Sequence, residues 1–140
     1  MQFSLLWSFF EARTLNTHAS ANAILSLTHE WASSDRLRFE LFAESLAYFQ
    51  TRYFQNGNST NYFSGLNLRP NDNPALVSAV LKGENKNHSD SVAALLIVVF
   101  RLRNNLFHGV KWADGIRGQL ANFTNANAAL MAALETHEHL

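Results

Sequence analysis

Ser89-Asp90-Ser91-Val92-Ala93-Ala94-Leu95-Leu96-Ile97-Val98-Val99-Phe100-Arg101-Leu102-Arg103-Asn104-Asn105-Leu106-Phe107-His108-Gly109 is the stretch whose reading decides the fold. Ser89-Asp90 is a helix-opening pair, and Gly109 supplies a left-handed stop. The run between them is too long for a strand and contains no Pro, so it predicts a helix over 91–108. On an ideal helix Leu95, Val99, Leu102 and Leu106 fall within roughly 60° of one another and form a core stripe. Arg101, Asn104, Asn105 and His108 fall on the opposite side, where Asn104 and His108 are i, i+4 neighbours. Arg103 does not join them. It lies about 140° round from His108, beside Leu96, Phe100 and Phe107.

Upstream, Leu5, Leu6, Phe9, Phe10 and Arg13, then Ala23, Ile24, Leu27 and Trp31, recur at three- and four-residue steps. Asn16-Thr17-His18 interrupts this pattern without Gly or Pro, so one helix is expected to continue through it, with a slight bend at most. Ser33-Ser34-Asp35 reads as a break and as the N-cap of a second helix. That helix carries Leu37, Leu41, Phe42, Ser45, Leu46, Phe49, Tyr53 and Phe54. Residues 56–73 are rich in Asn, Ser, Gly and Pro and read as a long surface loop. Asn73-Pro74 then opens a short helix to about Leu81, closed by Lys82-Gly83. After a turn at Asp114-Gly115, a last helix over 116–136 is carried by Leu120, Phe123, Ala126, Leu130, Met131 and Leu134. Period-two alternation is nearly absent. The expected fold is all-α, an antiparallel bundle of four to five helices in a single domain, 1–140.

At 47% apolar residues the 140-residue chain can bury a real core. It has no Cys, which removes disulfides and thiolate metal sites from consideration and suits a reducing compartment. The apolar start, Phe3 to Phe10, lacks a basic residue ahead of it and is cut off by Glu11 and Arg13, unlike a secretory leader. The run from Val92 to Phe100 is well short of a membrane span. A cytoplasmic protein without membrane contact is expected. Net charge is zero, but Arg101, Arg103, Lys111 and Arg117 face a lone acid, Asp114, over one short segment. Such a basic segment can bind phosphate locally, which makes Arg101, Lys111 and Arg117, with Asn105 beside them, supporting candidates for phosphate contact. Tyr48, Arg52 and Tyr53 could stack on bases but have the spacing of core or interface aromatics. His137-Glu138-His139 reads as a frayed terminus rather than a metal site, and no metal or cofactor is assigned.

Arg103-Asn104-Asn105-Leu106-Phe107-His108-Gly109 resembles the motif of the HEPN superfamily, an Arg and a His separated by four to six residues with a polar residue directly after the Arg. The apolar residues before it, the Gly after His108 and its late position in a helical chain agree with that resemblance. Trp7-Ser8-Phe9-Phe10-Glu11 is similar to the Trp…Glu segment of some members, and Glu11 is a candidate partner of the motif. The resemblance implies a metal-independent endoribonuclease, of a toxin or phage-defence kind, with Arg103, His108 and Asn104 as its catalytic residues. RNA supplies its own nucleophile, the 2′-OH, so a cation for phosphate and a proton acceptor are what the protein must add. The implied product is a 2′,3′-cyclic phosphate. A homodimer joined through the motif-bearing helices is also implied, which would reconcile the two faces on which Arg103 and His108 lie. A cognate antitoxin protein is a further implied partner. Where some toxins carry a Tyr two residues after the His, this chain has Val110. The alternative reading is a non-catalytic HEPN module that binds RNA, a nucleotide or a protein.

Overall fold

The computed structural model describes residues 3–15, 18–107 and 115–138, and these are predominantly helical. The elements are α1 (Phe3–Thr14), α2 (Ala21–Ser33), a 3-10 turn at Phe39–Leu41, α3 (Ala43–Tyr53) and a hairpin of β1 (Phe54–Gln55) with β2 (Asn58–Ser59). There follow α4 (Asn61–Gly65), a second 3-10 turn at Pro70–Asp72, α5 (Pro74–Leu81), α6 (His88–Phe107) and α7 (Gly115–Glu138). No helix among the described residues is long and apolar enough to cross a membrane.

The centre of the molecule is α6. Every residue from Val92 to Val99 is buried, because α1, α2, α3, α5 and α7 all pack around it. A helix apolar on all sides belongs in the middle of a core, not at its edge. Its cap is Asn87, two residues ahead of the expected pair: the Asn87 side-chain oxygen accepts from Asp90 N (2.9 Å) and from Ser89 Oγ (2.8 Å). The closing Gly109 and Asp114 of the expected turn lie outside the described residues.

The expected continuous helix over the first thirty residues is instead two. α1 ends at Thr14, whose hydroxyl turns back to Phe10 O (2.7 Å), and Glu11 Oε2 accepts from Ala19 N (3.2 Å). Ser20 then restarts the chain from an extended conformation (φ −159°, ψ 163°), and its hydroxyl accepts from Ala23 N (3.1 Å). A capping Ser needs neither Gly nor Pro nearby to separate two helices, since it satisfies the orphan N–H groups itself. Residues 16 and 17 of the expected continuation lie outside the described residues. Ser20→Ala should lower stability by about 1 kcal/mol. Urea denaturation would read this, and an unchanged midpoint would mean that the cap contributes nothing.

Other boundaries also move. Asp35 is not an N-cap but the left-handed residue that ends α2 (φ 60°), with Arg36 N returning to Trp31 O (2.8 Å). The next α-helix begins at Ala43, after the 3-10 turn, and leaves Leu37 outside it. Asn73 opens α5 from the left-handed region (φ 56°) without a side-chain cap bond. Residues 56–73 are more structured than a loop. Asn56-Gly57, both at positive φ (54° and 79°), form the two-residue turn of the β1–β2 hairpin. Leu66 and Asp72 are buried.

α1 and α7, at opposite ends of the chain, lie side by side and run in the same direction. Phe3 stacks on Phe123 (5.4 Å between centroids), while Arg13 pairs with Glu138 (2.6 Å). Short loops impose antiparallel neighbours, and no short loop joins these two.

Candidate functional site

The last two turns of α6 carry Arg101, Arg103, Asn104 and Asn105, and the structure sorts them into two pairs. Arg101 and Asn105, on the expected polar face, are buried at 2% and 1% exposure. Arg101 Nε donates to Leu66 O (3.3 Å) and lies 3.6 Å from Asp72 Oδ2. Asn105 Nδ2 donates to Gly65 O and Leu66 O, both at 3.2 Å. At Arg101 and Asn105 the expected polar face is covered by the segment from α4 to the second 3-10 turn. These two side chains hold that segment against α6 and do not present their donors at the surface of the chain.

Burial pushes the Arg101 guanidinium below its ordinary pKa; Asp72 opposes this, and Arg69 adds to it. Asp72 is itself fixed, since its Oδ2 accepts from Arg69 N (2.8 Å). Sequence reasoning missed Asp72, because an acid in an Asn- and Pro-rich segment ordinarily faces water.

Arg103 and Asn104 form the second pair. Both are half-buried, and Arg103 Nη1 donates to Asn104 Oδ1 (3.1 Å). Phe100, one turn before Arg103, stacks on Trp7 of α1 (5.6 Å), so the motif-bearing end of α6 is braced by the first helix. Glu11 Oε2 accepts from Ala19 N and so serves the turn between α1 and α2. His108 and Lys111 lie outside the described residues, and of Arg117 only its place in the first turn of α7 is described.

Of the remaining candidates, Tyr53 is buried and Tyr48 donates to Asn122 Oδ1 (2.8 Å). Among the described residues no group of three His, Cys, Asp or Glu side chains could hold a metal ion. His137 Nδ1 accepts from Trp31 Nε1 (3.4 Å), and Glu138 pairs with Arg13, so both are engaged within the fold. His139 lies outside the described residues. No protein-family model, curated protein or solved structure gives a significant match to this chain.

Proposed function

We propose that the chain is a HEPN-type endoribonuclease, active without a metal as a toxin or phage-defence effector. The observation that carries this reading is the Arg103–Asn104 pair at the end of the most deeply buried helix, in the string that continues Leu106-Phe107-His108-Gly109. A planar cation held by a neighbouring amide is already oriented for a phosphate, and a rigid helix limits the reorganisation needed when charge develops on it.

In the proposed reaction the 2′-oxygen of a ribose attacks the adjacent phosphorus. His108 takes the 2′-OH proton, and Arg103 neutralises the charge gathering on the phosphoryl oxygens. The bond from phosphorus to the 5′-oxygen breaks, and the proton that His108 took passes from the imidazolium to that oxygen, which leaves as a hydroxyl. The products are a 2′,3′-cyclic phosphate and a 5′-OH end. Asn104 keeps the Arg103 guanidinium in position.

The site is shared in this proposal: the helices assemble as a bundle, and two copies meet through the ends of α6. A cleft between copies places Arg103 of one face and His108 of another around one phosphate, and it doubles the local basic charge. The experiment is cleavage of RNA by purified protein in EDTA, together with induction of the chain in growing cells. Expected are fragments with cyclic phosphate ends, a dimer in solution and growth arrest. RNA binding without cleavage, in a protein harmless to cells, would establish the non-catalytic module instead.

A further inference from the structure

On the α3–α4 side of the molecule, Tyr62 is 46% exposed, a large value for an aromatic ring held in a helix. The Arg52 guanidinium lies over this ring, 4.0 Å from its centroid. Together with Glu44, Ala47, Tyr48, Thr51, Gln55 and Asn125 they line an open groove of about 590 Å³ between α3, α4 and α7. Its chemistry is distinctive. One cation and one carboxylate offset each other, and around them stand an aromatic face, two amides and a phenol. Burial, opposed by Arg52, pushes the Tyr48 phenol up, so it stays neutral, and with its proton given to Asn122 Oδ1 its oxygen can only accept.

The ring is held firmly in place. Thr60 Oγ1 donates to Arg52 O (2.7 Å) and Thr60 N to Tyr53 O (2.8 Å), which folds α4 back onto α3. Phe63 points inward and packs on Phe54 (4.9 Å) and Tyr53 (6.1 Å), so its neighbour Tyr62 turns outward. At the far end of α4, Gly65 O accepts from Asn105, two residues beyond Arg103 on α6. The groove is thus tied through hydrogen bonds at the end of α4 to the helix that carries the catalytic candidates.

We infer that this groove is a stacking platform for an unpaired nucleobase, which makes single-stranded RNA the substrate class of the proposed nuclease. This rests on the reading given under Proposed function. A neutral groove suits a base rather than a phosphate. The Arg52–Tyr62 stack offers a π-face that any base can use, while the Gln55 and Asn125 amides, and the Tyr48 oxygen as an acceptor, can meet base edges. A duplex, whose bases are already stacked on each other, cannot enter.

The test uses the full-length protein and a short fluorescent 2′-O-methyl RNA strand, which lacks the nucleophile and reports binding alone. Tyr62→Ala, and Tyr62→Leu as a variant that keeps apolar bulk, should weaken single-strand binding by about 10-fold, in line with loss of one stacked base. Tyr62→Phe should bind like wild type, and none of the three should change binding to the matching duplex. Wild-type affinity in the folded Leu variant, or a wild-type preference for the duplex, overturns the inference. Cleavage of the unmodified strand is followed in parallel to separate the two claims. Tyr62-dependent binding without any cleavage sinks the nuclease and keeps the platform, whereas cleavage indifferent to Tyr62→Leu does the reverse.

Discussion

Arg103→Ala and His108→Ala are each expected to lower the rate of RNA cleavage by about 10²–10⁴-fold, the usual scale for removing a general acid–base or a preorganised charge from a site. The two substitutions together should cost little more than the worse of them, because groups that act on one phosphate as a unit do not add. Arg103→Lys should not rescue. Lysine carries the charge but lacks the planar fork that Asn104 Oδ1 holds in position (3.1 Å) and that two phosphoryl oxygens would require. Single-turnover cleavage of a labelled strand reads all four proteins. Full activity in the His108→Ala protein would remove the proton-transfer role, and equal activity of Arg103→Lys would reduce Arg103 to a point charge.

The second large effect concerns folding. Arg101→Leu should lower stability by about 3–5 kcal/mol, the cost of leaving a buried carboxylate without its partner. Asp72 is 4% exposed and would remain in place, fixed by Arg69 N, with its buried cation partner gone. Adding Asp72→Asn should recover a large part of the loss, since an amide oxygen can still accept from Arg69 N while the uncompensated charge is gone. The sign of the Arg101 shift supports this. Burial favours the neutral form more than Asp72 favours the charged one, so the pair fixes a geometry rather than adding net stability. Because the folded state binds this proton less tightly than the unfolded chain, that cost is fully present at neutral pH and is relieved only under strongly alkaline conditions. Urea midpoints at constant slope measure both variants. A loss under about 1 kcal/mol for Arg101→Leu would mean that the carboxylate finds water instead.

These two predictions separate residues that looked alike in the sequence. Arg101 and Arg103 stand two positions apart on one helix, both basic, and the wheel placed Arg101 with the polar group and Arg103 among Leu and Phe. The structure reverses their employment: Arg101 is locked inside, while Arg103 is half-buried beside Asn104. A helical wheel assumes one wet face. α6 has none along Val92–Val99, and at Arg101 and Asn105 the chain supplies its own cover from residues 65–72.

Local chemistry was legible wherever the answer lay within a few residues. The apolar run of α6, the Lys82-Gly83 stop and the helical character of 116–136 follow from hydrophobic spacing and backbone preference, which act at short range. The Asn56-Gly57 turn was equally legible, but it was absorbed into a loop because the flanking strands are only two residues each. Ser20 could have announced the break between α1 and α2, though a Ser caps a helix only when the preceding turn can close, and here Glu11 closes it from eight residues away.

The sequence by itself determined that the chain is helical, that its longest apolar run is a helix, and that Arg103 and Asn104 stand near the end of that helix. Tertiary structure alone decided which polar groups along that helix meet solvent. It also turned residues 56–73 from an expected loop into a covering segment, bearing the Tyr62 ring on its outer side and Asp72 on its inner side. The physical reason is range. Backbone propensity and apolar period are properties of neighbours in the chain, whereas the burial of Arg101 depends on a carbonyl and a carboxylate some thirty residues away.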